Sequence, residues 1–518
     1  MGTNRYQWVS LNVDCETMVQ IIENSEPNRI ADFFKDKTIL ITGGSGFLGK
    51  VLIEKLLRSC TDLRRIYVLI RAKNGKNIHD RLQDIFSGPL FEMLKKQHGK
   101  IVLEKVEPIS GDISAPDLGL SPDDRLKLVQ ETEIIYHSAA TVQFDEPFKK
   151  TVLLNVRGTR LMLTLAKECK KLIVFCHVST AYCQETQEVL NEKTYPPPCD
   201  PHRIIDMCEW MNEDTLDTIA QKMRGASANN YTFTKALGEG LVTEQMDTLP
   251  VIIQRPAAVV PIWKEPVPGW TDNINGPTGL LIGAGKGVIR TMYGRSDYFA
   301  DYVAVDIIAN GLIVTAYDYV TYRVRRVYNM TSSDEHLVTF QDIIEMGQNI
   351  INTKVAFDWV LWYPGGGITN SRLWHNIRFY FFQLLPAIFV DIILMLIGFR
   401  PFLTRIQRKI KRGYQIFEYY SNRRWDFRKE SADVIRKWMN ETERKVFKVD
   451  DEGLNYYDYF VSCTLGARRY IRNEKDENIP NALRRIKMMW FVDKMCKILI
   501  VVGFFYYLIK KISGIFGI

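Results

Sequence analysis

Residues 38–49 read Thr-Ile-Leu-Ile-Thr-Gly-Gly-Ser-Gly-Phe-Leu-Gly, and this stretch decides the fold. Thr38–Thr42 has the apolar pattern of a short buried strand, and the residues that follow the last glycine have helical spacing. A turn this tight needs glycine at Gly43 and Gly46, because backbone N–H groups and the helix N-terminus must approach a pyrophosphate. A plain glycine-rich turn is the alternative, but the flanking strand and helix are those that phosphate binding requires. We assign to this site Thr42, Gly43, Ser45, Gly46, Phe47, Leu48 and Gly49, the last of which lets helix and strand pack closely.

Short apolar runs alternate with longer amphipathic stretches from residue 38 to about residue 256. The predicted strands are Thr38–Thr42, Ile66–Ile70, Ile101–Val106, Ile134–His137, Leu172–Val178 and Val251–Gln254. This alternation is typical of βαβ units, in which each strand is buried on both faces. It predicts an α/β fold with a doubly wound parallel sheet of the Rossmann type.

The length of 518 residues is too great for one ordinary domain. The Tyr-Pro-Gly-Gly-Gly run at 363–367 breaks the pattern, and beyond it the chain is helical and basic. We predict an N-terminal segment (1–35), a nucleotide-binding and catalytic domain (36–360), a mostly helical C-terminal domain (361–475) and a hydrophobic tail (476–518).

The charge and cysteine content narrow the class of partner. A net charge of +8 favours anionic ligands or a lipid surface, but charges of both signs are scattered along the chain, which disfavours nucleic acid. The nine cysteines fit neither a disulfide framework nor a zinc site, and the seven histidines form no metal cluster, so we expect a reducing compartment and no metal. Met1–Ser10 lacks the pattern of a signal peptide, which predicts a cytosolic catalytic part.

The end of the second strand selects the cofactor. Arg71 and Lys73 follow this strand and suit a ribose 2′-phosphate, whereas an acidic residue there would suit the 2′-hydroxyl of NAD. The sequence therefore favours NADPH over NADH, with two solvated surface cations as the alternative. Asp112 and Ile113 follow the third strand and are assigned to the adenine, with a plain loop turn as the alternative. The remaining residues assigned to the cofactor are Ala139 and Ala140, where backbone can approach the nicotinamide ribose, and Pro256.

Tyr231 and Lys235 lie one helical turn apart, so their side chains share one face of a helix. An ammonium so placed is expected to lower the pKa of the phenol, which can then serve as general acid. Ser179 and Thr180 follow the fifth strand, where either hydroxyl can bind a substrate carbonyl oxygen, with Thr180 slightly favoured. Asn155 either orders a water that serves Lys235 or is an amide at a helix start. His137 is expected to pack rather than to react.

These residues carry a family likeness, since the sequence resembles the eukaryotic alcohol-forming fatty acyl-CoA reductases, a branch of the extended short-chain dehydrogenases. The matching stretches include 42–49, 108–113, 137–144, 155–159, 177–182, 231–239, 255–260 and 276–280, and the C-terminal part resembles the family's male-sterility-type domain through 362–364, 385–387, 425–427 and 456–459. Two departures are Ala304, where the family usually has Pro, and Gln383, where it often has His. Both lie outside the cofactor and catalytic motifs, so they bear on substrate preference.

The resemblance implies that the chain reduces a long-chain fatty acyl-CoA to a primary alcohol through an aldehyde. It would consume two NADPH and release coenzyme A. One alternative is an extended reductase of sterols or nucleotide sugars, although such enzymes lack the C-terminal helical domain. The other is a catalytically idle membrane scaffold, against which the intact Tyr231 and Lys235 argue.

Two apolar stretches predict an association with membranes. Phe379–Phe399 has the length of a span but contains Gln383, Pro386 and Asp391, so we predict a hairpin kinked at Pro386 or a helix buried against the core, with a wholly soluble helix as the alternative. Ile498–Ile509 is uninterrupted and is the better anchor, although its length leaves open whether it crosses. We expect a membrane-associated protein of the endoplasmic reticulum or the peroxisome, and a homodimer is left open.

Overall fold

The computed structural model describes residues 27–73, 75–144, 146–225, 227–332 and 337–516. The prediction for Met1–Ser10 lies outside these residues. Within them, seven strands form one parallel sheet in the order β12-β7-β5-β4-β1-β2-β3. The members of this sheet are β1 Thr38–Thr42, β2 Arg65–Ile70, β3 Val106–Ser110, β4 Ile134–His137, β5 Val174–Val178, β7 Val251–Pro256 and β12 Val327–Met330. The predicted doubly wound Rossmann-type fold is confirmed, and the strand order reverses beside β1.

Eight shorter strands pair in twos outside this sheet. They are β6 Val189–Leu190, β8 Ala258–Val260, β9 Thr291–Tyr293, β10 Phe299–Ala300, β11 Tyr302–Ala304, β13 Val338–Thr339, β14 Gly367–Thr369 and β15 Asp426–Phe427.

Helices cover both faces of the sheet and continue through the C-terminal part. The α-helices of the first 360 residues are α1 Arg29–Phe33, α2 Phe47–Ser59, α3 Ile78–Phe86, α4 Glu92–His98, α5 Pro122–Glu131, α6 Phe148–Val152, α7 Gly158–Glu168, α8 Pro201–Trp210, α9 Glu213–Arg224, α10 Asn230–Thr243, α11 Pro277–Gly285, α12 Val305–Tyr322 and α13 Phe340–Thr353. Those that follow are α14 Arg372–Phe379, α15 Leu385–Leu396, α16 Leu403–Ser421, α17 Glu430–Trp438, α18 Glu441–Val446, α19 Tyr456–Gly466 and α20 Ile479–Phe516. Short 3-10 turns occupy Pro89–Phe91, Lys100–Lys105, Pro116–Gly119 and Asp476–Asn478, and π turns occupy Leu153–Arg157, Tyr380–Leu384 and Ala467–Ile471.

The alternation of side chains along β1 builds a core on each face of the sheet. Ile39 and Ile41 are buried with Leu52 of α2 on one face, whereas Leu40 is buried with Leu165 of α7 on the other. All five residues of the strand are buried, which explains why its sequence is an unbroken apolar run rather than an alternating one.

The predicted third strand, Ile101–Val106, was wrong in its position. Lys100–Lys105 forms a 3-10 helix, and the strand that pairs with β2 is Val106–Ser110. A short apolar run cannot be assigned by its period alone, because a helical turn and a buried strand both produce one. The edge strand Val327–Met330 and the buried helix Val305–Tyr322 lie beyond residue 256, where the predicted alternation of strands and helices ended.

The C-terminal helical part packs against the nucleotide-binding part. Strand β15 pairs with β6, and β14 pairs with β9. At the other end of the chain, Arg29 of α1 forms a salt bridge of 2.8 Å with the buried carboxylate of Glu443. The stretches before and after the predicted boundary near residue 360 therefore share two strand pairs and an ion pair. The division into domains stays a prediction.

The apolar stretch near residue 390 is a continuous helical rod over Arg372–Leu396. By length and composition it could cross a membrane, and 22% of its most apolar window is buried inside the protein. The predicted kink at Pro386 does not produce a hairpin, because the proline directly follows a π turn and the helix continues to Leu396. The chain reverses after Gly398 instead, and α16 packs back against the rod.

Candidate active site

The glycine turn after β1 brings three backbone segments into close contact. Gly43 has a φ of +75°, which favours glycine, and a Cβ there would lie 2.8 Å from the backbone nitrogen of Ala139. A Cβ at Gly49 would overlap the carbonyl oxygen of Gly43. Gly46 is the N-cap of α2 and has no side chain to offer to the first N–H groups of the helix. These N–H groups are therefore free to receive an anion, as the sequence predicts.

A cleft of about 640 Å³ lies beside this turn, at the carboxyl ends of the strands and at the point where their order reverses. Its lining brings together most of the site residues that the sequence predicts. These are Gly43, Ser45, Gly46, Phe47, Leu48, Gly49, Arg71, Asp112, Ile113, Ala139, Ala140, Ser179, Thr180, Tyr231, Lys235 and Pro256.

Three predicted residues do not line the cleft. The hydroxyl of Thr42 accepts a hydrogen bond from the backbone N–H of Ala139 at 3.2 Å, so Thr42 holds the neighbouring loop. Asn155 lies inside a π turn rather than at a helix start; its Oδ1 accepts from the N–H of Thr141 and its Nδ2 donates to Thr234, both at 3.0 Å. Asn155 thus ties the loop after β4 to the helix that carries Tyr231. Lys73 is exposed in the turn beyond β2, outside the cleft.

Arg71 lines the cleft next to Asp112, with 3.4 Å between its Nη1 and the carboxylate. Burial acts to raise the pKa of Asp112, but hydrogen bonds from Ser114 and the charge of Arg71 outweigh it and hold this pKa below its ordinary value. Arg81 of α3 also lines the cleft and donates to the backbone carbonyl of Arg71. The cation beside Arg71 is therefore Arg81 rather than Lys73, and no local pattern in the sequence points to it.

Tyr231 and Lys235 lie in the first two turns of helix α10, and the side chain of its N-cap Asn229 accepts a hydrogen bond from the backbone N–H of Thr232. The Nζ of Lys235 donates to the carbonyl of Val178 at 2.7 Å, and burial lowers the pKa of Lys235 to about 8. Burial raises the pKa of Tyr231, and a hydrogen bond with Thr180 acts in the opposite direction. The expected lowering of the phenol's pKa by Lys235 is not found, because the ammonium is directed to a backbone carbonyl. The phenol consequently keeps its proton at neutral pH, which is the state that a proton donor needs.

The two hydroxyl groups after β5 have different partners. Thr180 is hydrogen-bonded to Tyr231, and its Oγ1 also donates to the carbonyl of Pro256 at 3.4 Å and accepts from the N–H of Tyr182 at 3.3 Å. Ser179 instead contacts the thiol of Cys183 at 3.7 Å and the carboxylate of Glu239. This arrangement favours Thr180 as the hydroxyl beside the reacting oxygen. The sequence preferred it only slightly.

His137 is buried, and both ring nitrogens are hydrogen-bonded to hydroxyls, Thr42 at 2.8 Å and Thr159 at 3.0 Å. Burial, together with the charge of Lys235, lowers the pKa of His137 to about 3, so the ring is neutral. Among the residues that the structure describes, no group of three or more His, Cys, Asp or Glu side chains is placed to hold a metal.

Sequence reasoning missed a buried ion pair behind the catalytic helix. Arg255 at the end of β7 donates to both carboxylate oxygens of Glu239, at 2.8 and 2.7 Å, and both side chains are buried. Glu239 lies one turn beyond Lys235, so the pair fixes this helix to the sheet. Burying one of these charges alone would be costly, which explains why the two are paired.

The C-terminal part contributes an aromatic wall to the same region. Tyr420 of α16 accepts a hydrogen bond from Asn229 at 3.2 Å and lies 6.3 Å from Phe144, measured between ring centroids. Phe144 in turn meets Tyr231 edge to face at 5.6 Å. Asp272, Asn273 and Asn275 also border the cleft. All these residues are far from Tyr231 in the sequence, so no local motif could have revealed them.

The parallel sheet, the glycine turn and the Tyr-x-x-x-Lys pair together define an NAD(P)-binding oxidoreductase of the extended short-chain dehydrogenase class. Solved structures agree on the fold. The terminal R domain of the myxalamid PKS-NRPS pathway matches with a TM-score of 0.56 at 19% identity, over 85% of this chain and 93% of that one. The R domain of a non-ribosomal peptide synthetase from Mycobacterium tuberculosis also reaches 0.56 at 19% identity, over 88% and 96%.

Sequence comparison narrows this class to one family. A nucleotide-binding family model described as male sterility protein matches residues 41–312, and a second model of the same description matches residues 382–474. Fatty acyl-CoA reductase 1 of Homo sapiens is 34% identical over 89% of both chains, and fatty acyl-CoA reductase 2 of the same species is 35% identical over the same shares. Fatty acyl-CoA reductase wat of Drosophila melanogaster is 33% identical over 93% of this chain and 92% of its own. The chain belongs to the fatty acyl-CoA reductase family.

Proposed function

We propose that this protein reduces long-chain fatty acyl-CoA to a primary fatty alcohol with NADPH, in two hydride transfers through an aldehyde. The observation that carries the proposal is that Tyr231, Thr180 and Lys235 line the same cleft as the glycine turn. The substrate class comes from the relatives, which are named fatty acyl-CoA reductases.

The cleft fits a dinucleotide. Gly43 and Gly49 leave the space that a Cβ would fill, and the uncapped N-terminus of α2 is suited to the pyrophosphate. Arg71, with Arg81 beside it, would bind the 2′-phosphate that distinguishes NADPH from NADH. Ile113 and Asp112 would border the adenine, and Ala139, Ala140 and Pro256 would approach the nicotinamide half.

NADPH, when bound, would supply the hydride for each reduction. In the first step an acyl-CoA, one NADPH and one proton give an aldehyde, NADP⁺ and free coenzyme A. In the second step the aldehyde, a second NADPH and a proton give the alcohol and NADP⁺. Both steps need a group that stabilises or protonates the carbonyl oxygen as it gains negative charge.

Tyr231 would supply this proton from its Oη, since a tyrosine phenol is protonated at neutral pH. Thr180, which is hydrogen-bonded to Tyr231, would hold the same oxygen from its other side. Lys235 would contribute a positive charge under the site, and its Nζ is held by Val178. Asn155 is a positioning residue in this scheme, since it ties the loop of Thr141 to the helix of Tyr231.

We also propose that the protein is held at a cytosolic membrane surface, of the endoplasmic reticulum or the peroxisome, by its C-terminal region. Gln383 and Asp391, which interrupt the apolar part of the rod Arg372–Leu396, are both buried. Asp391 accepts hydrogen bonds from the N–H groups of residues 402–404 at the start of α16, and Gln383 bonds Gln407 and the backbone of Arg290. The outer face is apolar and exposed, with Phe381, Phe389 and Leu396 at 62%, 66% and 81% exposure. An amphipathic rod of this kind suits an interface better than a crossing.

Helix α20 supports the same proposal, because most of its apolar side chains between residues 488 and 507 are exposed. Asp493 lies in the first half of this helix, and its carboxylate accepts hydrogen bonds from Arg290 at 3.1 Å and from Trp362 at 2.5 Å. The backbone N–H of Arg290 also donates to Gln383 of the rod, so Arg290 links the two apolar elements. A homodimer stays a prediction of the sequence.

The reaction is tested by incubating the purified full chain with NADPH and acyl-CoAs of different lengths, and by measuring free coenzyme A, aldehyde and alcohol separately. We expect two NADPH consumed for each coenzyme A released, with alcohol as the end product. If coenzyme A were released and aldehyde were the only organic product, only the first hydride transfer of the proposal would be supported. No release of coenzyme A from any acyl-CoA, in a protein that binds NADPH, would contradict it.

A further inference from the structure

A second cavity, of about 150 Å³, lies outside the cleft and is lined almost entirely by apolar groups. Helices α11, α13 and α19 form its walls together with strands β9 and β14 and residue Phe417 of α16. Two of the polar side chains at its border are hydrogen-bonded: Gln348 donates to the carbonyl of Gly366 at 2.5 Å, and Thr291 bonds His375 at 3.2 Å. Such a cavity offers a water molecule few partners, and apolar cavities of this size take apolar ligands.

The cavity and the catalytic cleft share a wall. Val259 of β8 lines the cleft, and its neighbour Val260 lines the cavity, because successive side chains of a strand point to opposite faces. The turn beyond this strand is shared in the same way, since Asn275 borders the cleft and Pro277 borders the cavity. Between them Gly276 has a φ of +66° and open space where a Cβ would stand. A flexible chain that leaves the cleft would have to pass this turn to reach the cavity.

The other end of the cavity lies at the base of the exposed apolar rod. Ile289, which lines the cavity, is buried together with Phe379 of the rod, and Leu384 packs on the same cluster. Leu280 and Met292 also belong both to the lining and to this cluster. An apolar path therefore runs from the wall of the catalytic cleft to the surface that we assign to the membrane.

We propose that this cavity binds part of the hydrocarbon chain of the substrate, beyond the carbonyl carbon that reacts at Tyr231, and that helix α13 sets the chain lengths accepted. The inference rests on the proposed acyl-CoA reduction. A cavity of about 150 Å³ holds a ligand the size of benzene, so it takes about six carbons of a longer chain. Each methylene that it buries contributes roughly fourfold to binding.

Gly347 is the position from which the cavity can be filled with least strain. It lies within α13 and lines the cavity, and a Cβ built there has no heavy atom within 4 Å. Its φ is not positive, so a larger residue is tolerated by the backbone, and leucine is a better helix former than glycine. Glu345 lies on the same helix, is exposed and does not line the cavity, which makes it a matched control.

The test compares kcat/KM for acyl-CoAs from eight to eighteen carbons in the full-length protein and in the variants Gly347→Leu and Glu345→Leu. We expect Gly347→Leu to lower kcat/KM at least tenfold for the longest chains and less than twofold for the eight-carbon chain. Glu345→Leu should leave the whole profile unchanged. An equal loss at every chain length, or an unchanged profile in Gly347→Leu, would overturn the assignment. Gly347→Ala repeats the comparison with a smaller side chain if the leucine variant no longer binds NADPH.

Binding of a fluorescent polyene fatty acid separates this inference from the proposed reaction, because it needs no turnover. Gly347→Leu should weaken that binding at least tenfold, and Glu345→Leu should not. If the parent protein binds the probe in this way but reduces no acyl-CoA, the proposed reaction fails and the hydrocarbon site stands. If it reduces acyl-CoAs while Gly347→Leu leaves both probe binding and the chain-length profile unchanged, the hydrocarbon site fails alone.

Discussion

Replacing Arg71 with alanine should weaken the binding of NADPH by about 10- to 30-fold and leave the binding of NADH nearly unchanged. A hydrogen bond to a charged group contributes about 1.5–3 kcal/mol, which corresponds to a factor of roughly 10–150 in the dissociation constant. The lower part of this range applies, because the side chain of Arg71 is 52% exposed and already lies 3.4 Å from the carboxylate of Asp112. NADH has no 2′-phosphate, so it loses no contact of this kind.

The measurement is a titration of each nucleotide against the purified protein, followed by fluorescence or calorimetry. Lys73→Ala is the matched control, since Lys73 is a nearby cation that lies outside the cleft. It should change neither dissociation constant. An equal loss for both nucleotides in Arg71→Ala would indicate damage to the edge of the sheet, and a loss of NADPH binding in Lys73→Ala would refute the placement of the 2′-phosphate.

Four further outcomes are expected. Tyr231→Phe should lower turnover about 10²–10⁴-fold while the affinity for NADPH stays within twofold, and near-normal turnover would exclude the phenol as proton donor. Burial lowers the pKa of Lys235 to about 8, so its charge is lost above that pH and kcat/KM should fall as the pH rises past about 8. Lys235→Arg should move this fall to higher pH, and a flat pH profile would contradict the proposed role of the Lys235 charge. Truncation after Lys497 should shift the protein from the membrane to the soluble fraction. The cut lies beyond Ile486, so that this residue, which is buried in the core, is kept. A glycosylation acceptor introduced near Lys411 should stay unmodified, and its modification would place α16 on the far side of the membrane.

Features that depend on neighbours in the sequence were predictable. The glycine turn and the Tyr231–Lys235 pair each need a fixed local spacing, and the structure brings both to one cleft. The strands were predictable wherever an apolar run was bounded by polar residues. The third strand was misplaced because the apolar residues Ile101–Leu103 lie in a 3-10 helix, and the strand begins only at Val106, after Glu104 and Lys105.

Features that depend on distant segments were not predictable. Arg81 reaches the cleft from the following helix, and Tyr420 reaches the neighbourhood of Tyr231 from the C-terminal part. The pKa shift of Tyr231 was not predictable for the same reason. Its spacing to Lys235 suggested a lowered pKa, but burial, which is set by the whole fold, raised it.

The ion pair between Arg29 and Glu443 has a consequence for how the chain folds while it is being made. The two residues are 414 positions apart, and synthesis at about 5–20 residues per second separates their appearance by roughly 20–80 s. During that interval helix α1 lacks both the carboxylate that holds it and the backbone carbonyl of Trp438 that accepts from Arg29. A ribosome-bound chain halted before Glu443 should therefore be cut by proteases near Arg29, and release of the complete chain should protect that site.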